Sequence, residues 1–414
     1  MKQKLKGTNS NKPICSKNNN EHVGAGLVPA RNKGITLVAL IITIIVLLIL
    51  AAVAIAAIKG DGIISHAKNA KTQYTEAQKK EQDMLEYYEA TLSGKVGAWK
   101  QEGAAVTKIN SDGTKTQLKI GDYVAYNEGS FTHTPVVANG AGTSKTGGSS
   151  SAGYTLATSE LKTEDLKWRV LGVNNKGELE LISADPTTQT LYLANDEGYV
   201  NAEDNLNNFC NDLYGKGQYA TGARSLKVED IDNLAKYDKT TYSGYGVKWQ
   251  YKGDSTKDKI QYSKDGGTTW ADTSYTTFRL PNETTAISKS NPGTKELENT
   301  YYGYNIANNI TTEDGYTTEE ATNISNMITK GTTSSNISQW LASRCVYCYS
   351  SYAYFRVRYV LSGGVFLSTL FCSNEDFNCL GYRVRPVVSL ASDIQITGTG
   401  DNIGSASNEW QLSK

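Results

Sequence analysis

The densest collection of chemically capable side chains lies between Cys345 and Tyr382. Four of the six cysteines and six of the 26 tyrosines fall there. Five of the nine arginines, at 344, 356, 358, 383 and 385, sit in that window or on its flanks. Tyr offers a large, rigid contact area at little entropic cost, while Ser, Gly and Asn adapt their hydrogen bonds, so this is the composition of an antibody-like contact surface. Alternation predicts that Ala353, Phe355 and Val357 point inward. By residue type and alternation, the expected ligand contacts are Tyr347, Tyr349, Tyr352, Tyr354, Arg356, Tyr359, Phe366, Leu367, Phe371, Asn374, Asp376 and Phe377. Cys345-x-x-Cys348 with Cys372 and Cys379 has the form of two zinc-binding pairs, but the second spacing is looser than a zinc knuckle requires. A disulfide, Cys345–Cys348 or Cys372–Cys379, is the alternative in an oxidising compartment.

Other chemistry is sparse. The three His are His22, His66 and His133, which leaves His-based acid/base catalysis little to work with. There is no phosphate loop, dinucleotide fingerprint, nucleophile elbow or HExxH. Asp254-x-x-x-Asp258 and Asp265-Gly266-Gly267 form an acidic, glycine-bearing loop that lacks the full calcium pattern. The expectation is a protein that is not an enzyme, with no catalytic residue, metal site or cofactor. Lys plus Arg and Asp plus Glu both total 42, so bulk positive charge does not support nucleic-acid binding.

The elements that must position the window begin with an apolar run. Ile35 to Ile58 carries no charge and only two Thr. At 1.5 Å per residue it spans about 36 Å, enough to cross a bilayer core. Residues 1–34 carry seven Lys/Arg and one acid, which places the N-terminus in the cytoplasm and the remainder outside. Lys59-Gly60-Asp61-Gly62 interrupts the helix, and Ile63 to Leu92 then shows apolar residues at three- and four-residue steps, a helical stalk. Beyond Ala98, short β-like runs alternate with Gly/Asn/Asp turns: Gln117–Tyr126, Trp168–Val173, Glu178–Ser183, Gln189–Leu193 and Arg383–Leu390. Helices are expected at Ala202–Tyr214, Val228–Tyr237 and Asn323–Thr329. Asn139–Gly153 reads as a flexible surface loop. The organisation is thus a leader (1–34), a transmembrane helix (35–58), a stalk (59–97), an extracellular α+β head (98–395) and a C-terminal tail (396–414).

Two resemblances sharpen this. Asn32-Lys33-Gly34-Ile35-Thr36-Leu37 resembles the cleavage and methylation site of type IV prepilins, which implies processing between Gly34 and Ile35. Ala39 stands where that family usually carries Glu, which weakens the case for polymerisation but not for anchoring. An uncleaved signal anchor is the alternative. Ile120–Val124, Trp168–Leu171, Leu179–Ser183, Ala223–Leu226, Trp340–Arg344 and Val384–Val388 together resemble Firmicutes surface proteins with prepilin-type N-termini. The C-terminal part of those proteins is similar to the C-type-lectin/formylglycine-generating-enzyme fold.

The window adds a genetic signature. Lys, Gln, Glu, Met and Trp make up 77 of the 414 residues, so 38 residues of average composition hold about seven; this window holds only Glu375. Randomising the adenines of Asn codons leaves a final pyrimidine and cannot reach those five types. The window therefore resembles the cassettes of variable proteins of diversity-generating retroelements. The expected function is a surface-displayed, adhesin- or receptor-like protein. Its implied partners are the membrane, an extracellular protein or glycan ligand, prepilin peptidase and other pilins, with no nucleic acid. The alternative is a structural minor pilin or pseudopilin of a type IV pilus or type II secretion-like system.

Overall fold

Leu206, Phe209, Cys210 and Leu213 recur at helical spacing, and all four are buried. They form the inner face of a helix, Ala202–Tyr214, with the bounds the periodicity predicts. Each such side chain contributes about 1.5–3 kcal/mol by leaving water. The computed structural model describes residues 37–59, 63–92, 96–149, 153–329, 337–350 and 352–414. Gly34 and Ile35, the expected processing site, lie outside the described residues.

The chain divides into two compact units, 1–78 and 79–414. The apolar run forms α1 (Leu37–Lys59), 23 residues with no acidic side chain in its first turn. Among the described residues no helix is long and apolar enough to cross a membrane. The described side chains of α1 are those of 40–51, and all are exposed. The expected stalk is α2 (Ile63–Leu92). Its Tyr74, Met84, Leu85 and Tyr88 are exposed rather than covered. Within the second unit, Tyr87 donates to the Ser111 carbonyl at 3.3 Å.

The head is mixed α+β. It opens with a three-stranded antiparallel meander, Trp99–Glu102, Ala105–Ile109 and Lys115–Lys119. Two larger sheets follow, built from β1 (Tyr123–Ala125), β2 (Ala141–Gly142), β3 (Trp168–Val173), β4 (Leu179–Ser183), β5 (Thr190–Ala194), β6 (Ala220–Ser225), β7 (Gln339–Cys348), β8 (Ala353–Leu361), β9 (Gly364–Cys372), β10 (Cys379–Arg383), β11 (Pro386–Leu390), β12 (Gln395–Thr397) and β13 (Trp410–Ser413). The seven-stranded sheet runs β6-β11-β4-β3-β1-β13-β12, and the six-stranded sheet runs β9-β8-β7-β10-β5-β2. The helix Ala202–Tyr214 lies against β6 of one and β7 of the other. The inner strand β4 is buried at all five positions. Its Glu180 is tolerated there because Arg224 binds it through two nitrogens, at 2.7 and 3.1 Å. The helices expected at Val228–Tyr237 and Asn323–Thr329 form as Val228–Ala235 and Thr318–Thr329.

Two expectations about irregular segments are corrected. Residues 396–414 are not a tail. β13 pairs parallel with β1 near the end of the seven-stranded sheet, and the Trp410 indole donates to Asp122 at 3.0 Å. Of the Gly/Ser/Ala-rich stretch 139–153, residues 139–149 supply β2 and a strand Ser144–Gly147 that pairs with Tyr154–Ala157, while 150–152 lie outside the described residues. Its glycines serve close approach. Gly140 has φ +79°, and a Cβ there would lie 2.1 Å from the Gly198 nitrogen. A four-stranded sheet, Val247–Gly253, Ile260–Ser263, Ala271–Asp272 and Thr294–Asn299, is inserted between β6 and β7.

Candidate functional site

The window folds into β7, β8, β9 and β10 of the six-stranded sheet. Along β8, Ala353, Phe355 and Val357 are at most 3% exposed, as alternation predicts. Tyr354, Arg356 and Tyr359 are half-buried and reach solvent. β7 brings Tyr347 opposite Tyr354, and their rings stack 8° from parallel with centroids 6.1 Å apart. Tyr352 and Tyr354 lie 4.8 Å apart, and their hydroxyls are joined by a 2.6 Å hydrogen bond. Tyr349, 53% exposed, extends the same cluster at 6.2 Å from Tyr347.

Three more tyrosines, outside the window, complete the surface. Tyr301 approaches Tyr347 at 4.6 Å, Tyr242 approaches Tyr301 at 5.7 Å, and Tyr275 meets Tyr352 edge-on at 5.1 Å. The result is a continuous belt from Tyr242 through Tyr301, Tyr347, Tyr354 and Tyr352 to Tyr275. The sequence reading missed these three. The only local signal was the tyrosine density of Tyr301-Tyr302-Gly303-Tyr304. Burial raises the Tyr301 and Tyr354 hydroxyls above the usual phenol range.

Arg356 is the cation of this surface. Its guanidinium lies 4.3 Å from the Tyr354 ring centroid and 5.2 Å from that of Tyr347. Its Nε donates to Thr369 Oγ1 at 2.8 Å. Among the described residues no carboxylate pairs with it. The nearby arginines differ. Arg344 reaches Glu203, Arg279 reaches Asp196 and Glu375, and Arg358 spends its amines on the carbonyls of Arg344 and Thr300.

Beside the belt is a groove of about 460 Å³, lined by Arg356, Tyr359, Phe366 and Leu367 from the window and by 301 and 303–305 opposite. Phe366 is 44% exposed and Leu367 half-buried. The facing wall is held by a buried acid. Asp232 accepts from the Tyr302 hydroxyl at 2.7 Å and the Tyr304 hydroxyl at 2.5 Å, while Tyr237 stacks on Tyr304 at 4.4 Å.

The remaining expected contacts stand elsewhere. Asn374, Asp376 and Phe377 lie on the turn after β9, where Asn374 Nδ2 donates to Asp376 at 2.7 Å and Phe377 meets Tyr154 edge-on. They do not line the groove. Phe371 is corrected outright, because it is fully buried. A β-bulge between Thr369 and Phe371 shifts the β8–β9 register, so Phe371 opposes Phe355 and turns into the core. The Arg279 guanidinium then covers its ring at 4.6 Å.

Cys345, Cys348, Cys372 and Cys379 are free and buried, with neither suggested disulfide formed. Burial pushes the Cys348 and Cys372 thiols up to about 12, which keeps them protonated and unreactive. Among the described residues no His/Cys/Asp/Glu group could hold a metal. Asp265 is fully engaged, accepting from the Thr268 and Thr269 amides and from the Ser263 and Thr269 hydroxyls. It closes a turn. No family model, curated protein or solved structure matches the chain.

Proposed function

We propose that this protein is a surface-displayed ligand-binding protein of bacteria, anchored by a type IV prepilin-like helix. In this reading the α+β head has a C-type-lectin/formylglycine-generating-enzyme-like fold and presents the Tyr belt and its groove to an extracellular partner. The observation that carries the reading is that Tyr347, Tyr349, Tyr352, Tyr354 and Arg356 converge on one wet aromatic surface while Arg356, Tyr359, Phe366 and Leu367 line the adjoining groove, with no carboxylate paired to Arg356 among the described residues. Exposed Tyr349 beside the tyrosine cluster and exposed Phe366 beside the groove supply the aromatic contact area that a binding surface uses. In this reading the scarcity of Lys, Gln, Glu, Met and Trp in the window reflects diversification of this surface by a retroelement.

The pilin reading draws on a different observation, the exposed Tyr74, Met84, Leu85 and Tyr88 of α2. Substituting Tyr347, Tyr349 and Tyr354 together by Ala in the full chain separates the two. The binding reading expects intact surface display and lost capture of those members of an immobilised peptide and glycan panel that the wild type binds. Lost display or assembly with unchanged capture supports the pilin. Sequencing codons 340–390 in the natural population tests diversification, which requires substitutions confined to 345–382 at adenines of a nearby template copy.

A further inference from the structure

The groove has a backbone feature as well as a charge. β9 is the outer strand of its sheet. Its edge is covered at one end, where the Val365 amide donates to the Tyr304 carbonyl at 2.8 Å. It is covered at the other end too, where the Asn378 amide donates to the Leu370 carbonyl at 2.9 Å. In an antiparallel ladder the outward amides recur every second residue, so Leu367 faces the same side as Val365. Among the described residues no strand pairs with β9 at Leu367, and that residue lines the groove. An uncovered station on a sheet edge is a template for another extended chain. The cation beside it is Arg356, whose Nε is occupied by Thr369 and whose ring contacts hold the guanidinium in place.

From these two features we infer that the groove takes an extended peptide segment of a partner protein. The segment pairs its backbone with Leu367 and presents an Asp or Glu carboxylate to the terminal amines of Arg356. This deepens the binding reading above and rests on it. A saccharide has no strand edge to offer Leu367, which is why a peptide is favoured over an acidic glycan. Arg fits the task because its planar fork binds carboxylates through two parallel hydrogen bonds.

The test is selection of a displayed random 12-residue peptide library on the full-length protein in nanodiscs. Enriched peptides are expected to share one Asp or Glu at a fixed position. Their affinity should fall about tenfold or more on Arg356→Gln, the loss expected for a hydrogen bond to a charged group. Leu367→Pro removes the outward amide at an edge position where Pro is tolerated and should weaken the same peptides; unchanged thermal midpoints show that both variants fold. Enrichment without a shared acid, equal binding to Arg356→Gln, or no enrichment overturns the proposal. A parallel arm uses an immobilised hexuronate oligosaccharide. Arg356-dependent capture of that probe in place of peptides overturns the peptide occupant and leaves the binding surface standing. Capture of either probe that ignores Tyr347, Tyr349 and Tyr354 overturns the binding surface itself.

Discussion

Asp232 holds one wall of the groove from beneath, and removing it has a calculable effect. The carboxylate is 9% exposed and accepts from two tyrosine hydroxyls. In Asp232→Ala both hydroxyls lose their acceptor. Tyr302 is 2% exposed and bears the full penalty, whereas half-buried Tyr304 recovers part of it from water. At about 1–3 kcal/mol for each stranded buried group, the cost is about 2–4 kcal/mol. For a unit of 336 residues that lowers the thermal midpoint by roughly 3–6 °C. The assay is thermal unfolding of the full chain in detergent, followed by near-ultraviolet circular dichroism of the tyrosines. A second variant fixes the sign of the electrostatics. Burial raises the Asp232 carboxyl above its ordinary value of 3.8. A carboxyl with a higher pKa folded than unfolded binds more protons in the native state. Its contribution is therefore most favourable below the unfolded value and is lost as pH rises through the folded one. Relative to Asp232→Asn, which does not titrate, the wild type should lose stability as pH rises from about 4 to neutrality. A midpoint shift under about 2 °C for Asp232→Ala, or a wild type that gains on Asp232→Asn as pH rises, refutes the reasoning.

Three further outcomes distinguish surface from scaffold. Tyr349→Ala should leave stability within about 0.5 kcal/mol while weakening ligand capture, whereas Phe371→Ala should cost about 3–5 kcal/mol; equal effects on the melting curve would contradict their assigned positions. Arg385 is fully buried and donates to the carbonyls of Ser183, Ala184 and Ile328, so Arg385→Met should collapse the yield of folded protein, and Arg385→Lys, lacking the fork, should not restore it. Cys348 and Cys372 should resist iodoacetamide at pH 8 in the native protein and react at once in urea, and rapid native labelling would be inconsistent with their burial.

What could be read in advance was local. The helix Ala202–Tyr214 and the strand Trp168–Val173 follow from apolar spacing over a few residues, and their bounds match. The inward set Ala353, Phe355 and Val357 needs only the period of a strand. Phe371 failed because a single extra residue in β9 flips every later side chain, and nothing in Leu367–Cys372 announces the bulge. Residues 396–414 failed because Trp410–Ser413 joins a strand some 285 positions earlier, a pairing that no local pattern encodes. Tyr242 and Tyr275 were invisible for the same reason. Their role is created by the inserted sheet, which brings them to strands far along the chain.

The burial pattern along Ala353–Leu361, which alternates as far as Val357 and breaks at buried Arg358, also governs how such a surface evolves. Changes at Ala353, Phe355, Val357 or Val360 strike the core and are removed by misfolding before any ligand is met. Changes at Tyr354, Arg356 or Tyr359 alter recognition and spare the sheet. A mutator blind to position would therefore spoil most variants with hits in every codon of this strand. One confined to the half-buried codons 354, 356 and 359 would keep far more of them folded. The usable repertoire grows with the number of outward codons rather than with the length of the window, and the pleat itself screens out the variants that cannot be displayed.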